Sequence, residues 1–238
     1  YEMSSYLGGN VVPAAAPPFK VDVQDYLKYL LVQANKAPAR ILLNTEATKE
    51  LLDAEGYDSL IIAVGGRPIV PILPGIDKPH VHWAPEADLG LVEVGNKTVI
   101  VGAGAVGVEC AINLASEGKD VVIVEMAPDM SNLSASARGT LLDFMALIEK
   151  YKIPVYLNCK LDEVTDNTVI CRDMLTNERV EFPADTVLLA LGISPKHDVA
   201  DALRRSAPET EVYVVGDAVD AGNIATAVMS AFKAAAYI

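Results

Sequence analysis

Residues 97–128, KTVIVGAGAVGVECAINLASEGKDVVIVEMAP, constrain the fold more than any other part of this 238-residue chain. An apolar run from Thr98 to Val101 reads as a buried strand. It meets a glycine turn, and a helical stretch then leads to a second buried strand, Val121 to Val124, which ends on Glu125. Glycines fall at 102, 104 and 107, so the turn can tighten, the backbone can approach a diphosphate, and the helix can pack close on the strand. Ala105 and Val106 open that helix, whose unpaired N–H groups and positive dipole end face the phosphates. Glu125 lies about 20 residues on, where a carboxylate accepts hydrogen bonds from an adenosine ribose and repels a 2′-phosphate, so NAD is favoured over NADP. A lone G-x-G-x-x-G is a weak signal, because glycine turns also serve ordinary packing. Here strand, turn, helix, strand and terminal acid follow in the right order, which predicts a mononucleotide-binding βαβ half.

The chain is long enough for one large domain or two small ones. Hydrophobic residues make up 51% and charged residues 21%, a globular composition. No apolar run reaches the ~20 residues of a membrane span, and the opening YEMSSYLGGN has neither the basic region nor the apolar core of a leader. A formal charge of −13 argues against nucleic acid or an anionic membrane as partner. Cys110, Cys159 and Cys171 are odd in number and form no C-x-x-C pair. They fit a reducing, cytoplasmic setting and read as small apolar residues. His80 and His82 form an H-x-H with no third ligand in view, so a surface or interdomain position is expected and no metal site. Arg204 and Arg205 read as solvated.

Taken in order, a proline-rich connection (11–20) precedes a core-facing amphipathic helix over 22–37, with Val23, Tyr26, Leu27, Leu30, Leu31 and Ala34 at helical spacing and Asp22 as N-cap. A strand is expected at 39–45, a short helix from Thr48 to Glu55 stopped by Gly56, and a buried strand at 59–64. The Gly- and Pro-rich GGRPIVPILPGID must then be a loop. Beyond the βαβ unit, a helix over about Ala137–Tyr151 offers Leu141, Leu142, Met145, Leu147 and Ile148 as an apolar face, and a strand covers 153–159. Short β-prone runs with turns at Asp166-Asn167 and Thr176-Asn177 predict an antiparallel meander, closed by a buried strand at 186–192. A charged, partly helical segment at 198–208, a strand, a Gly-Asp turn and an Ala-rich helix complete the chain. IIAVGGRP and LLALGISP rhyme as strand, glycine and proline on either side of the middle region, as two crossovers would if one domain were inserted in another.

These features together resemble the two-dinucleotide-binding flavoprotein reductases, the pyridine nucleotide-disulphide oxidoreductase-like group. The resemblance rests on AVGGRP (63–68), the glycine motif with Glu125, LALG at the exit of 187–192, and YVVGDA (213–218) followed by a helix. LPGIDKPHV (73–81) and the helix at 22–37 look most like the reductase half appended to old yellow enzyme-type barrels, as in 2,4-dienoyl-CoA reductase and 2-enoate reductase. The resemblance implies an α/β fold: a Rossmann-like NAD(P)-binding domain at 91–193 inserted into a partial FAD-binding Rossmann-like domain at 1–90 and 194–238. It places FAD against Glu2, Gly8, Gly9, Gly65, Gly216 and Asp217, and counts Gly192, at the exit crossover, among the cofactor-binding residues. Asp217 would hydrogen-bond the ribityl or pyrophosphate portion, and Glu2 the adenosine ribose. Glu109 occupies a helix position near the nicotinamide side in some relatives, although a solvent-facing helix glutamate is the commoner case.

The resemblance also implies hydride transfer from NADH to FAD, a step the cofactors carry, so no catalytic side chain is named. Electrons would pass on through an iron–sulfur centre to FMN in a barrel that reduces an activated double bond. The first FAD fingerprint, the barrel and the cluster cysteines are not in this sequence, so a fragment of a larger flavoenzyme is expected, with a complete NAD site and weakened or lost FAD binding. A thioredoxin reductase-type enzyme would need a redox cysteine pair. A ferredoxin- or rubredoxin-type NADH reductase and a nucleotide-binding module without activity stay open, as does an oligomer.

Overall fold

A computed structural model of the chain describes residues 1–130, 133, 138–207 and 210–238. Its helices are α1 (Val11–Ala14), α2 (Val21–Lys36), α3 (Lys49–Glu55), α4 (Ala84–Asp88), α5 (Ala105–Ser116), α6 (Arg138–Tyr151), α7 (His197–Arg205) and α8 (Ile224–Tyr237). Its strands are β1 (Ser59–Ile62), β2 (Gly66–Pro68), β3 (Val81–Trp83), β4 (Lys97–Val101), β5 (Asp120–Val124), β6 (Val155–Tyr156), β7 (Cys159–Val164), β8 (Thr168–Asp173), β9 (Arg179–Pro183), β10 (Thr186–Leu189), β11 (Ile193–Pro195) and β12 (Glu211–Val214). Contacts divide it into two units, one of residues 1–12, 22–68 and 193–238, the other of residues 13–21 and 69–192.

The second unit is built on a parallel sheet in the order β3-β10-β4-β5-β6. Side chains alternate across a strand, so its two faces bury different sets. Ile100, Ile123 and Leu188 pack with Val108, Ala111 and Ile112 of α5 and Phe144 and Ile148 of α6. Val99, Val124 and Val187 pack with Leu161, Val169 and Phe182 of the meander β7-β8-β9. Near-continuous Val/Ile runs are what a parallel sheet covered on both faces demands. Each such residue stabilises by roughly 1.5–3 kcal/mol when fully buried.

The expected meander is present, both of its pairings antiparallel. Asn177, at φ 62, makes its second turn, where the Asp173 carboxylate accepts from the N–H groups of Leu175 and Thr176. The strand expected over 153–159 is broken instead. Asn158 takes φ 52 and its N–H donates to Ala127 O, so β6 ends at Tyr156 and the meander starts at Cys159. On α6 the inward face includes Phe144, while Leu142 and Met145 are exposed, because helix phase rather than hydrophobicity sets which side chains meet α5. The expected start of α6 at Ala137 lies outside the described residues.

In the first unit β1 runs parallel to β12, and β2 runs antiparallel to β11 with Arg67 opposite Ser194. The two rhyming segments therefore hydrogen-bond to each other just past their glycines. Thr48 caps α3, its hydroxyl accepting from Leu51 N–H, and Gly56 ends it at φ 64. Leu52, Ile62, Ala200 and Leu203 form the small core. Several expectations are corrected here. Within the stretch expected to be a loop, Gly66–Pro68 forms β2 because its backbone pairs with β11, and Val11–Ala14 of the proline-rich connection forms α1. Residues 39–45 form no regular strand, because Asn44 adopts φ 52 and bulges the segment out of extension. Strand β1 stops at Ile62, and its Ile61 is 41% exposed, so it is not buried throughout. On α2, which begins at Val21 with Asp22 in its first turn, the predicted apolar face is only half-buried; no residue of that helix is fully buried. Among the described residues no helix is long and apolar enough to cross a membrane.

Candidate dinucleotide sites

In the second unit the chain leaves β4, turns at Gly102–Gly104 and enters α5. Gly102 takes φ 109, and a Cβ there would lie 2.5 Å from Ala190 O. A Cβ on Gly107 would lie 2.0 Å from Gly102 O, so that glycine is what lets the helix close on the turn. Gly104 differs from both. Its φ is −71 and a Cβ would meet nothing within 4 Å, so neither backbone strain nor packing within the protein calls for glycine there. It is the N-cap of α5 with no side chain to cap it. The helical ladder begins with Val108 N–H donating to Gly104 O at 3.0 Å, and Val106 at the same end is exposed. The corner thus presents an uncovered helix N-terminus with room above it.

Glu125 follows the tip of β5. One carboxylate oxygen accepts from Ala103 N–H at 2.8 Å, inside the glycine turn, and the other from Ala127 N–H at 2.8 Å. The acid is therefore tied to the corner it was expected to serve, and each oxygen keeps a lone pair for another donor.

Glu109, one turn further along α5, does not face solvent. It pairs with Lys20, both side chains being largely buried. Asp88, at the end of α4, accepts from Asn113 Nδ2 at 3.4 Å. Burial, with Glu109 nearby adding to it, pushes the Asp88 carboxyl up to about 6. Burial likewise raises the Cys110 thiol, and the buried Cys159 and Cys171 are raised too. Neither Lys20 nor Asp88 stands out in the sequence, since Lys20 lies 89 positions from its partner and Asp88 reads as an ordinary helix-end acid.

In the first unit the residues expected around a second nucleotide fall into two groups that meet. Gly8 and Gly9 both take positive φ, 119 and 49, and lead into Asn10. Gly216 takes φ 62 and donates to Ser230 Oγ at 2.8 Å, setting Asp217 into a short 3-10 turn. Asp217 accepts from Asn10 Nδ2 at 3.3 Å and from Gly222 N–H at 3.1 Å, just before α8 opens with its Asn223 cap. Asn10 is the residue that motif reasoning missed; its only sequence signal is its place directly after Gly-Gly. Glu2 accepts from both the N–H and the hydroxyl of Ser4, each at 2.7 Å. Gly65 (φ 69) accepts from Lys196 N–H at 3.2 Å; in the second unit, Gly192 (φ 85) accepts from Ile69 N–H at 3.1 Å. Among the described residues no group of three or more His, Cys, Asp or Glu is arranged to hold a metal. His82 lies on β3, and His80 just before it accepts from Val187 N–H through its carbonyl, so both are half-buried at the edge of the parallel sheet.

A parallel sheet with a glycine corner, a helix N-terminus and a strand-tip acid defines a Rossmann-like dinucleotide-binding oxidoreductase fold. The chain matches the family model for pyridine nucleotide-disulphide oxidoreductases over residues 15–235 and belongs to that family. It is 31% identical over 235 residues, 98% of its length, to the cinnamate reductase of Clostridium sporogenes, and 30% identical over 238 residues to the bilirubin reductase of Mediterraneibacter gnavus. A solved 2-naphthoyl-CoA reductase superposes with a TM-score of 0.88 at 28% identity, covering 98% of this chain. The chain spans about a third of the length of each of these proteins: 34% of the cinnamate reductase, 36% of the bilirubin reductase and 34% of the 2-naphthoyl-CoA reductase. Family membership implies that FAD and NAD(H) are its nucleotides.

Proposed function

We propose that this chain is the nicotinamide-nucleotide-handling part of a larger flavoprotein reductase. NAD(H) is assigned to residues 91–193, with Gly102, Gly104, Ala105, Val106, Gly107 and Glu125 around it. FAD is assigned to residues 1–90 and 194–238, with Glu2, Gly8, Gly9, Asn10, Gly65, Gly216 and Asp217 toward it. The observation that carries the reading is Gly104: a glycine that the protein's own packing does not need, at an open helix N-terminus, beside a carboxylate already aimed into the turn. A diphosphate lying against the backbone supplies the missing reason.

FAD supplies, when bound, the two-electron acceptor for the hydride that NADH gives up. The side chains position and discriminate. Glu125 orients the ribose and disfavours a 2′-phosphate, while the Asn10–Asp217 pair offers an amide and a carboxylate to the second nucleotide. No side-chain proton donor is required for hydride transfer, and none is assigned. The cinnamate and 2-naphthoyl-CoA reductases among its relatives, each about three times the length of this chain, support a larger parent reductase. The other two thirds of that protein would hold FMN and an iron–sulfur centre and reduce an activated carbon–carbon double bond.

Calorimetric titration of the chain with NADH and NADPH tests the nucleotide assignment. Anaerobic addition of NADH to the full-length protein reconstituted with FAD, with flavin bleaching followed by absorbance, tests the reaction. NADH binding without bleaching would leave a nucleotide-binding module and refute the reductase.

A further inference from the structure

The second unit holds a half-buried cluster beside α5 in which one charge is left over. Lys20 pairs with Glu109 of α5, so an ammonium and a carboxylate cancel. Asp88 closes α4, a helix packed on α5, β3 and β10. Its carboxylate accepts from Asn113 Nδ2 at 3.4 Å, and the Cys110 thiol lies within reach of both that carboxylate and Ala84 O, 3.9 Å from the latter. Both partners are neutral. Among the described residues no ion pair reaches Asp88, and Lys20 offsets its charge only slightly. The other titratable groups on these elements are few: Glu86 of α4 accepts from Trp83 N–H, β10 has none, β3 has only His82, and burial keeps the Cys110 thiol of α5 protonated. Burial pushes Asp88 itself up to about 6, with Glu109 adding to it, so its charge appears as pH rises through that value.

The order of the sheet fixes which end of a dinucleotide lies nearest to this cluster. The chain steps outward from β4 to β5 and β6, then returns to β10 on the other side of β4, and a dinucleotide spans the strand ends across that reversal. Its adenosine ribose is assigned to Glu125 past β5, and its diphosphate to Gly104 past β4. The nicotinamide half therefore extends past β10 and β3, toward α4, which starts directly after Trp83 of β3. Asp88 lies only about 6 Å along α4 from Ala84, at the helical rise of about 1.5 Å per residue.

We propose that Asp88, without touching the ligand, makes this site distinguish oxidised from reduced coenzyme: once ionised, it favours NAD+ over NADH. The inference rests on the NAD(H) assignment above and deepens it. The two forms differ by a hydride, and so by one positive charge on the nicotinamide ring. A carboxylate at roughly 12 Å, in a setting with an effective dielectric constant of about 20, favours the cationic ring by about tenfold. Because Lys20 and Glu109 cancel each other, that carboxylate is not compensated. The diphosphate is common to both forms, so the ratio of their affinities isolates the effect on the ring. By reciprocity, NAD+ lowers the affinity of Asp88 for its proton relative to NADH. Release of NAD+ after hydride transfer is thereby linked to proton uptake behind the glycine corner.

Calorimetric titration of the 238-residue chain with NAD+ and with NADH across pH tests it. The ratio of NAD+ to NADH affinity should rise by about threefold between about pH 5.5 and 7.5, the part of the tenfold effect that falls above the lower pH. In two buffers of different ionisation enthalpy at about pH 6, NAD+ should release about 0.4 proton more than NADH, a measurement that needs no variant. Asp88→Asn should hold the affinity ratio flat, at the value the wild-type chain approaches at low pH. None of these readouts moves if Asp88 merely packs α4 on α5. A wild-type ratio that does not change with pH overturns the proposal, as does equal proton release by the two forms. A pH step that survives in Asp88→Asn overturns it too, and assigns the step to another group such as His82. A chain that binds neither form refutes the nucleotide assignment and this inference with it, whereas one that binds both at a fixed ratio refutes this inference alone.

Discussion

Replacing Gly104 by alanine separates a ligand's demand for glycine from the protein's own. At φ −71 and ψ 176 the backbone is one that alanine adopts freely, and the new Cβ meets no atom within 4 Å. Alanine is a poorer N-cap than glycine by roughly 0.5 kcal/mol, but it narrows the unfolded ensemble by about 0.4–1 kcal/mol. The net change in stability should therefore lie within about 0.5 kcal/mol. Gly107→Ala is the contrasting control. Its Cβ falls 2.0 Å from the backbone oxygen of Gly102, which no rotamer can relieve, so the cost should lie at the upper end of the roughly 1–3 kcal/mol of overpacking. Trp83, the single tryptophan, sits on β3 and reports unfolding of the second unit, so urea titration by its fluorescence reads both variants. Calorimetry then gives NADH affinity. Gly104→Ala should bind at least about tenfold more weakly, 1.4 kcal/mol or more, at unchanged stability. Wild-type affinity in Gly104→Ala would refute the reasoning, because a methyl group would then stand where the diphosphate is assigned.

Glu125→Ala leaves the N–H groups of Ala103 and Ala127 without their acceptor and should cost about 1–3 kcal/mol in urea titration. It should also weaken NADH binding and narrow the preference over NADPH by about tenfold; an unchanged preference would remove the ribose role. Asp88 titrates near 6 in the folded chain against an ordinary 3.8, so its contribution to stability is fully present below about pH 3.8 and is lost as pH rises through about 6. Asp88→Asn should accordingly stabilise the second unit at pH 7 by about 1–2 kcal/mol, after allowing for partial exposure, and flatten the pH 4–6 slope seen by Trp83. A variant less stable at pH 7 would show that Asp88 is held ionised. The three cysteines, buried and with raised thiols, should react with an aromatic disulfide reagent only on unfolding. One fast-reacting thiol in the native chain would contradict their placement.

Much of the second unit is legible in its residues because local order and tertiary demand coincide. In 97–128 the strand, turn, helix and strand lie consecutively, and each short-range rule points to the same arrangement. The meander is legible for the same reason, since turn residues separate short β-prone runs. The break within 153–159 is not, because hydrophobicity reports burial and not the single left-handed residue, Asn158, that splits the segment. Nor does apolar spacing alone fix which side of α6 meets α5, which is why Leu142 and Met145 point outward against expectation.

The sequence by itself determined the glycine corner, its acid and the antiparallel meander, because each is written within a few neighbouring residues. Only the tertiary structure decided that Glu125 ties back to Ala103, that Lys20 meets Glu109, and that Asn10 meets Asp217. Those contacts join residues 22 to 207 positions apart, and only the folded chain settles which distant groups share one burial or one hydrogen bond.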